Sequence, residues 1–378
     1  MSEIHKFNSN QGEKIPKNES DFNIYGKEKF SPETAKEHVE LLINNFKEHY
    51  SSLGYKEEPP VLISSGIDPT VRFIGSHISV FKPYLTENRV SSPGLFMRQD
   101  CIRTRNADRL LDNNYFPNWG SYFPSIGAVT PPERLNEACE ETFDFFEKKL
   151  AISPKNFLIR INSKDVDLMD ACKRHYNHEN LEVDTRKLDY YRHKLGIEGV
   201  QGRNFNIAFR DSNRDSFSDI GNIILIERAE RKLGVEIALG STTILKQLHG
   251  LDHVQDCTPV AGLNLENETI KRKFEDSIIT STVLYREGLR PFGQHNRSRI
   301  LKQYVRSLSY FRAKSKLGID SLSQIISEFE KREFPESTER IYGIIVGSVK
   351  SYENELFAKK DLTEDEKKIK EALESSLK

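Results

Sequence analysis

Four cysteines, Cys101, Cys139, Cys172 and Cys257, are the first residues whose chemistry has to be placed. None sits in a Cys-x-x-Cys pair. Their spacing offers neither a zinc knuckle nor a disulfide framework, so free buried thiols are expected and no metal held by cysteine. Basic side chains offer a second chemistry. Across residues 297–316, Ile300, Leu301, Tyr304, Val305, Leu308 and Phe311 fall on one helical face, with Arg299, Lys302, Arg306, Lys314 and Lys316 on the other. Such a face can neutralise phosphates, although a solvated helix surface is its commonest use. The formal net charge is −1. No global field therefore draws the chain to nucleic acid, and any RNA contact must come from a local patch.

The elements that position these residues follow from periodicity. The 378 residues are 37% hydrophobic and 30% charged, a charged surface round an ordinary core and enough chain for two domains. Residues 1–30 read as a polar, mobile leader. Ser31-Pro32-Glu33-Thr34 then starts a helix with Ala35, Val39, Leu42, Ile43 and Phe46 on one side. From 61 to 129, short apolar runs alternate with Gly, Pro and Asn turns, which is the pattern of strands and hairpins. Helical spacing returns over 132–150. Strands are expected at 157–161, 204–209, 222–227 and 235–239. Strands with inserted helices indicate the α+β class with an antiparallel sheet.

Helices are expected at 268–287, 297–316, 322–332 and 337–358, followed by a charged C-terminal one. The spacing predicts a boundary near 262, with one domain over 31–262 and a helical one over 263–378. No apolar run approaches the roughly 20 residues needed to span a bilayer. The polar start lacks a signal peptide's apolar stretch, so a cytoplasmic location without membrane attachment is expected.

Three segments, in order, resemble alanyl-tRNA synthetase, a class II aminoacyl-tRNA synthetase. The first is Ile67-Asp68-Pro69-Thr70-Val71-Arg72-Phe73, followed by Phe81-Lys82-Pro83-Tyr84. It is similar to the family's Asp-Pro-Thr run and the Phe-Lys run of its first motif. The second, Gln99-Asp100-Cys101-Ile102-Arg103, resembles Gln-x-Cys-Ile/Val-Arg. The third is Glu287-Gly288-Leu289-Arg290-Pro291, then Arg297, Ile300-Leu301 and Val305-Arg306. The resemblance covers about residues 31–320. It implies an antiparallel sheet flanked by helices, then a helical domain. The family's editing and C-terminal regions are expected to be missing.

The resemblance also implies roles. Arg103 falls at the family's motif 2 arginine, which bridges the α-phosphate and the substrate carboxylate, and is the implied catalytic residue. Arg105, in the following loop, is implied to touch ATP. The run Tyr115-Phe116-Pro117 is matched to the family's Phe-Phe-Glu, which implies Phe116 as the adenine shelf and Pro117 in place of the glutamate. At motif 3, Glu236 replaces the aspartate that holds the substrate amine and Gly240 keeps the close backbone approach. Thr243 stands where the arginine holding the ATP tail would be, with Lys246 or Arg203 as substitutes.

Asn222 and Ile224 resemble residues lining the amino-acid pocket, with Gly221 in place of a tryptophan. Arg192, or His193, takes the place of the family's pocket tryptophan, and together with Gly221 this implies a different substrate, larger or acidic. In the helical part, Arg297, Arg299, Lys302 and Arg306 are the implied RNA contacts.

The implied ligands are ATP with Mg²⁺ and a small amino acid or carboxylic acid. The acceptor is a tRNA acceptor stem or a carrier, and a homodimer is a further expectation. The expected function is formation of an aminoacyl-adenylate for transfer to tRNA or another acceptor. Two alternatives follow from the departures: a non-catalytic paralogue with a binding or regulatory role, and a biosynthetic ligase with a non-tRNA acceptor.

Overall fold

The computed structural model describes residues 30–177, 179–211, 216–263, 265–293 and 295–376. The polar leader expected over 1–30 lies outside the described residues except for Phe30.

The first helix, α1 (Ala35–Ser52), buries Val39, Leu42, Ile43, Phe46 and Tyr50 along the three- and four-residue spacing read above. Strand β1 (Lys56–Glu57) follows. Within the stretch read as strands and hairpins, residues 78–86 form a helix instead, α2 (Ile78–Thr86), with Pro83 inside it. The strand reading gave weight to the Gly and Pro residues. It missed the helical spacing of Ser79, Lys82 and Thr86, which Asp68 and the Lys82 carbonyl hold by hydrogen bonds.

The chain continues through β2 (Leu95–Ile102), β3 (Tyr122–Thr130), α3 (Leu135–Asp144), β4 (Phe157–Ile161), α4 (Val166–Cys172), β5 (Leu181–Val183) and β6 (Arg192–Lys194). Long strands β7 (Val200–Arg210), β8 (Phe217–Arg228) and β9 (Arg231–Gly240) come next, and α5 (Ser241–His249) leaves β9 directly.

Nine strands among the described residues make one sheet, ordered β1-β2-β3-β9-β8-β7-β4-β5, with β6 paired to β7. Every pairing from β2 to β4 along this order is antiparallel. The outer pairs β1–β2 and β4–β5 are parallel, so the sheet is mixed at its edges. The fold is α+β, with a helical region after the sheet.

Alternation sorts the side chains. Phe205, Ile207 and Phe209 of β7, Ile223 and Leu225 of β8, and Val235, Ile237 and Leu239 of β9 enter the core shared with α1 and α3. The opposite face carries Leu95, Met97, Val129, Ile224 and Ile226 against Val80, Phe81 and Leu85 of α2. Each such side chain, fully buried, contributes about 1.5–3 kcal/mol. Helix α2 covers only part of this second face, and the rest of it floors the cavity described below.

The C-terminal region is α6 (Glu268–Arg286), α7 (Asn296–Lys314), α8 (Ile319–Glu333), α9 (Tyr342–Ala358) and α10 (Glu364–Ser376). Its core takes in Ile63, Phe73, Ile102, Ala107 and Tyr122 from the sheet half, so apolar packing is continuous across residue 262. All four cysteines are buried and free. No helix among the described residues is long and apolar enough to cross a membrane.

Candidate active site

The three segments of the resemblance meet at one loop, residues 61–75. Within it, the Asp68 carboxylate accepts from the Thr70 backbone (3.0 Å) and hydroxyl (2.7 Å), from Ser79 Oγ (2.7 Å) and from Lys82 Nζ (2.6 Å). The Asp-Pro-Thr and Phe-Lys runs are thus two sides of one clasp. From the second segment, the Gln99 amide pairs with the Val61 backbone at 2.9 and 2.8 Å, and Arg103 Nε donates to the Gly75 carbonyl at 3.1 Å. From the third, Glu287 accepts from the Ile63 and Ser64 N–H groups at 2.6 and 2.9 Å, and Arg297 Nε donates to the Arg72 carbonyl at 2.6 Å.

Beside this loop the uncovered sheet face floors a cavity of about 310 Å³. Arg103 and Arg105 line it, with Phe123 and Ser125 of β3, Asn206 of β7, Asp219 and Asn222 of β8, Ala238 and Gly240 of β9, and Thr243 of α5. Trp119 and Gly120 come from the loop before β3, and Asp276 and Ile279 from α6. The site therefore has a wall from the helical region.

Arg103 leaves the end of β2 on the cavity face, its guanidinium 4.8 Å from the Phe123 ring centre. It has no ion-pair partner among the described residues, nor has Arg105. The Arg103 side chain is exposed at the cavity, yet the protein packed round it holds the guanidinium below its ordinary value, and the neighbouring charge of Arg105 adds to the effect.

Phe116 does not line the cavity. It is 40% exposed and stands edge-on to His253, whose Nε2 meets the Pro117 carbonyl at 2.7 Å. Tyr-Phe-Pro occurs twice, in Tyr115-Phe116-Pro117-Asn118-Trp119-Gly120 and in Tyr122-Phe123-Pro124-Ser125-Ile126-Gly127. The second copy lies on the strand and brings Phe123 under Arg103.

Trp119, the chain's single tryptophan, is 55% exposed at the cavity. The backbone that follows it is held at two points. Asn106 Nδ2 donates to the Trp119 carbonyl at 2.8 Å, and the buried Asp276 carboxylate accepts from Ser121 N–H and Oγ, each at 2.6 Å. Asn106 also donates to Asp276 (3.1 Å) and accepts from the Tyr115 hydroxyl (2.6 Å). Burial raises the Asp276 carboxyl against these donors. Sequence reading missed Asp276 because its partners lie some 155 residues away.

At the other end of the floor, Glu236 stays behind the cavity wall. It is 3% exposed, with Oε1 3.2 Å from His77 Nε2. Asn222 lines the cavity, with Nδ2 3.2 Å from His193 Nε2. Burial depresses His193, opposed by the charge of Glu236. Ile224 lies below the floor, where only a glycine at 202 leaves space: a Cβ there would stand 2.6 Å from Ile224 Cγ2. In the β7–β8 pairing, Ile207 faces Gly221 and Ala208 faces Asp219. Ile220 is the extra, bulged residue, and the slip delivers Asp219 to the cavity. Arg160 and the Tyr190 hydroxyl both bind that carboxylate.

Arg192 is outside the cavity. Its guanidinium grips Asp165 with two bonds, 2.7 and 3.1 Å, so the charge proposed for an acidic substrate is spent on the protein. Arg203 is spent likewise on Asp165, Asp167 and Glu227. Gly240 begins α5, and its bare face meets Thr243, whose Oγ1 donates to the Gly240 carbonyl at 2.8 Å. Lys246 is half-buried on α5 and does not line the cavity.

On α7, Arg299 is exposed and Lys302 half-exposed, whereas Arg306 reaches Glu366 of α10 at 3.4 Å and Arg297 is bound to the 61–75 loop as above. The implied basic patch is therefore reduced to Arg299 and Lys302. Among the described residues no cluster of three His, Cys, Asp or Glu side chains is arranged to hold a metal.

No protein-family model and no curated protein sequence matches this chain. Solved structures of aminoacyl-tRNA synthetases do. A pyrrolysyl-tRNA synthetase from Desulfitobacterium hafniense is 9% identical, with a TM-score of 0.34, over 57% of this chain and 70% of that one. An aspartyl-tRNA synthetase from Entamoeba histolytica is 10% identical, with a TM-score of 0.36, over 62% of this chain and 59% of that one, less than two thirds of its length. The apo histidyl-tRNA synthetase of S. aureus is 12% identical, with a TM-score of 0.38, over 78% of this chain and 89% of that one. These neighbours are class II synthetases, and none of the three is an alanyl enzyme.

Proposed function

We propose that the chain binds ATP in the cavity beside Arg103 and activates an amino acid as its adenylate, for transfer to tRNA or another acceptor. The observation that carries this reading is Arg103 itself. It is a guanidinium without a carboxylate partner among the described residues, stacked on Phe123 and facing a cavity floored by an antiparallel sheet. A guanidinium without such a partner, exposed at the edge of a cavity, is suited to an anion.

In the proposed reaction a carboxylate oxygen of the amino acid attacks the α-phosphorus of ATP, and the bond to the β,γ-pyrophosphate breaks. The planar fork of Arg103 would hold both the attacking carboxylate and the α-phosphate and offset the charge that develops between them. Arg105 would add positive potential at the mouth. The two cavity carboxylates, Asp219 and Asp276, are already engaged by protein donors. Magnesium would therefore enter on the nucleotide's phosphates rather than in a protein cage. The polar wall of Ser125, Asn206 and Asn222, with Arg192 tied to Asp165, favours an uncharged or donor-bearing side chain over a second carboxylate.

The runner-up is a paralogue that binds nucleotide without turnover. One observation favours it: at the motif 3 position a threonine, hydrogen-bonded back to Gly240, stands where a cation would hold the ATP tail. Amino-acid-dependent exchange of pyrophosphate into ATP, across alanine, glycine, serine, asparagine, aspartate and glutamate, separates the two. Exchange with any of them supports activation. ATP binding by calorimetry with no exchange leaves the paralogue, and absence of both removes the nucleotide site. For the acceptor, binding of acceptor-stem hairpins that weakens with salt and with Arg299→Ala would favour RNA.

A further inference from the structure

A second line of side chains ends at the same cavity and has no part in the phosphate chemistry. Ser125 lines the cavity on β3, and its Oγ lies 2.9 Å from Nδ1 of His77. The His77 ring is wholly buried, and its Nε2 lies 3.2 Å from Glu236 Oε1, close but off the line of a hydrogen bond. The ring lies flat on the sheet because residue 127 is glycine: a Cβ there would come within 2.1 Å of Nε2. A carboxylate can only accept. With its proton on Nε2, toward Glu236, the ring would offer the Nδ1 lone pair to the serine hydroxyl. Nucleophile, base and orienting carboxylate stand in order on one sheet face, with the nucleophile alone at the cavity.

We propose that Ser125 is an acylatable nucleophile, with His77 as its base and Glu236 as the residue that positions His77. Its substrates are activated acyl donors of cavity size. An adenylate is the donor that the proposed function would supply, and in that respect alone the proposal rests on it. Ser125 Oγ forms a bond to the acyl carbon, and the carbon–oxygen bond to the AMP phosphate breaks. AMP leaves, and the Oγ proton passes to Nδ1 of His77, whose charge Glu236 offsets. The product is an acyl ester on Ser125, which a hydroxyl, thiol or amine acceptor then takes up.

The test uses the full chain and phenylmethanesulfonyl fluoride, which needs neither ATP nor an amino acid. Intact-mass measurement and peptide mapping are expected to find one sulfonyl adduct, on Ser125, absent in Ser125→Ala. His77→Ala is expected to slow labelling about 100-fold, and added imidazole to restore part of the rate. Glu236→Gln is expected to slow labelling while its circular dichroism and melting curve stay close to wild type, and Glu236→Asp to recover part of the rate. An unlabelled Ser125 in folded wild-type protein overturns the proposal, as does labelling indifferent to His77. Labelling without pyrophosphate exchange removes the activation reading and leaves the serine. Exchange without labelling does the reverse.

Discussion

Asp276 and Ser121 are joined twice: one carboxylate accepts both the backbone N–H and the hydroxyl of the serine, each at 2.6 Å, and ties α6 to the loop carrying Trp119. A buried acceptor that satisfies several donors is costly to remove. Asp276→Ala is expected to destabilise the protein by about 1–3 kcal/mol for each donor left unpaired. Urea unfolding followed by circular dichroism measures it, and a midpoint equal to wild type would remove the anchoring role.

In the adjacent residue, burial pushes Glu275 up to about 7 from an ordinary value of 4.5, against the attraction of Arg272 at 3.1 Å. A carboxyl raised on folding binds its proton more tightly in the folded state. Its contribution is therefore greatest below the ordinary carboxylate range and declines as pH rises from about 4.5 to 7. Glu275→Gln is expected to flatten this part of the stability–pH curve, read from melting temperatures at pH 5 and pH 8.

Arg103→Lys keeps a charge but loses the fork. If the cation acts on the α-phosphate as proposed, exchange is expected to fall by about 100-fold or more while ATP affinity falls less. An equal loss in both would mean that Arg103 contributes only to ground-state binding.

Trp119 gives a direct optical reading of the cavity, since no other tryptophan contributes. Addition of ATP is expected to quench and shift its emission, with the midpoint matching calorimetric affinity. Phe116→Ala should leave that titration unchanged, because Phe116 faces His253 rather than the cavity. Phe123→Ala should weaken it.

Arg192→Met removes one partner of a bidentate pair with Asp165, which is 2% exposed at its side chain. Lower stability is expected, with no change in which amino acids support exchange. A gain or loss of aspartate or glutamate exchange in this variant would return Arg192 to substrate recognition.

Much of the architecture was legible from periodicity. The helices of the C-terminal region, the α1 stripe and strands β4, β7, β8 and β9 stand where alternation or helical spacing put them. Helix α2 did not, because Pro83 inside it and Gly75 before it look like turn residues, and the bonds that hold it come from Asp68. Arg103 was singled out through its flanking Gln99 and Cys101, and the structure puts it at the cavity. Phe123 was hidden by the earlier copy of Tyr-Phe-Pro, and only strand register separates the two. Glu236 was singled out by its motif, but the structure places it below the floor against His77, a residue 159 positions earlier that no local pattern connects to it. Asp276 carried no signal at all, since a lone aspartate within a helix is ordinary until Ser121 is beside it.

The grip of Glu287 on the Ile63 and Ser64 amides gives those two protons an unusual status. Both are held by a side chain from the far half of the chain, so their exchange with deuterated solvent tracks how often the helices lift from the sheet. Two backbone positions thus gauge the seating of the whole C-terminal region, and a ligand that tightens it would slow them together.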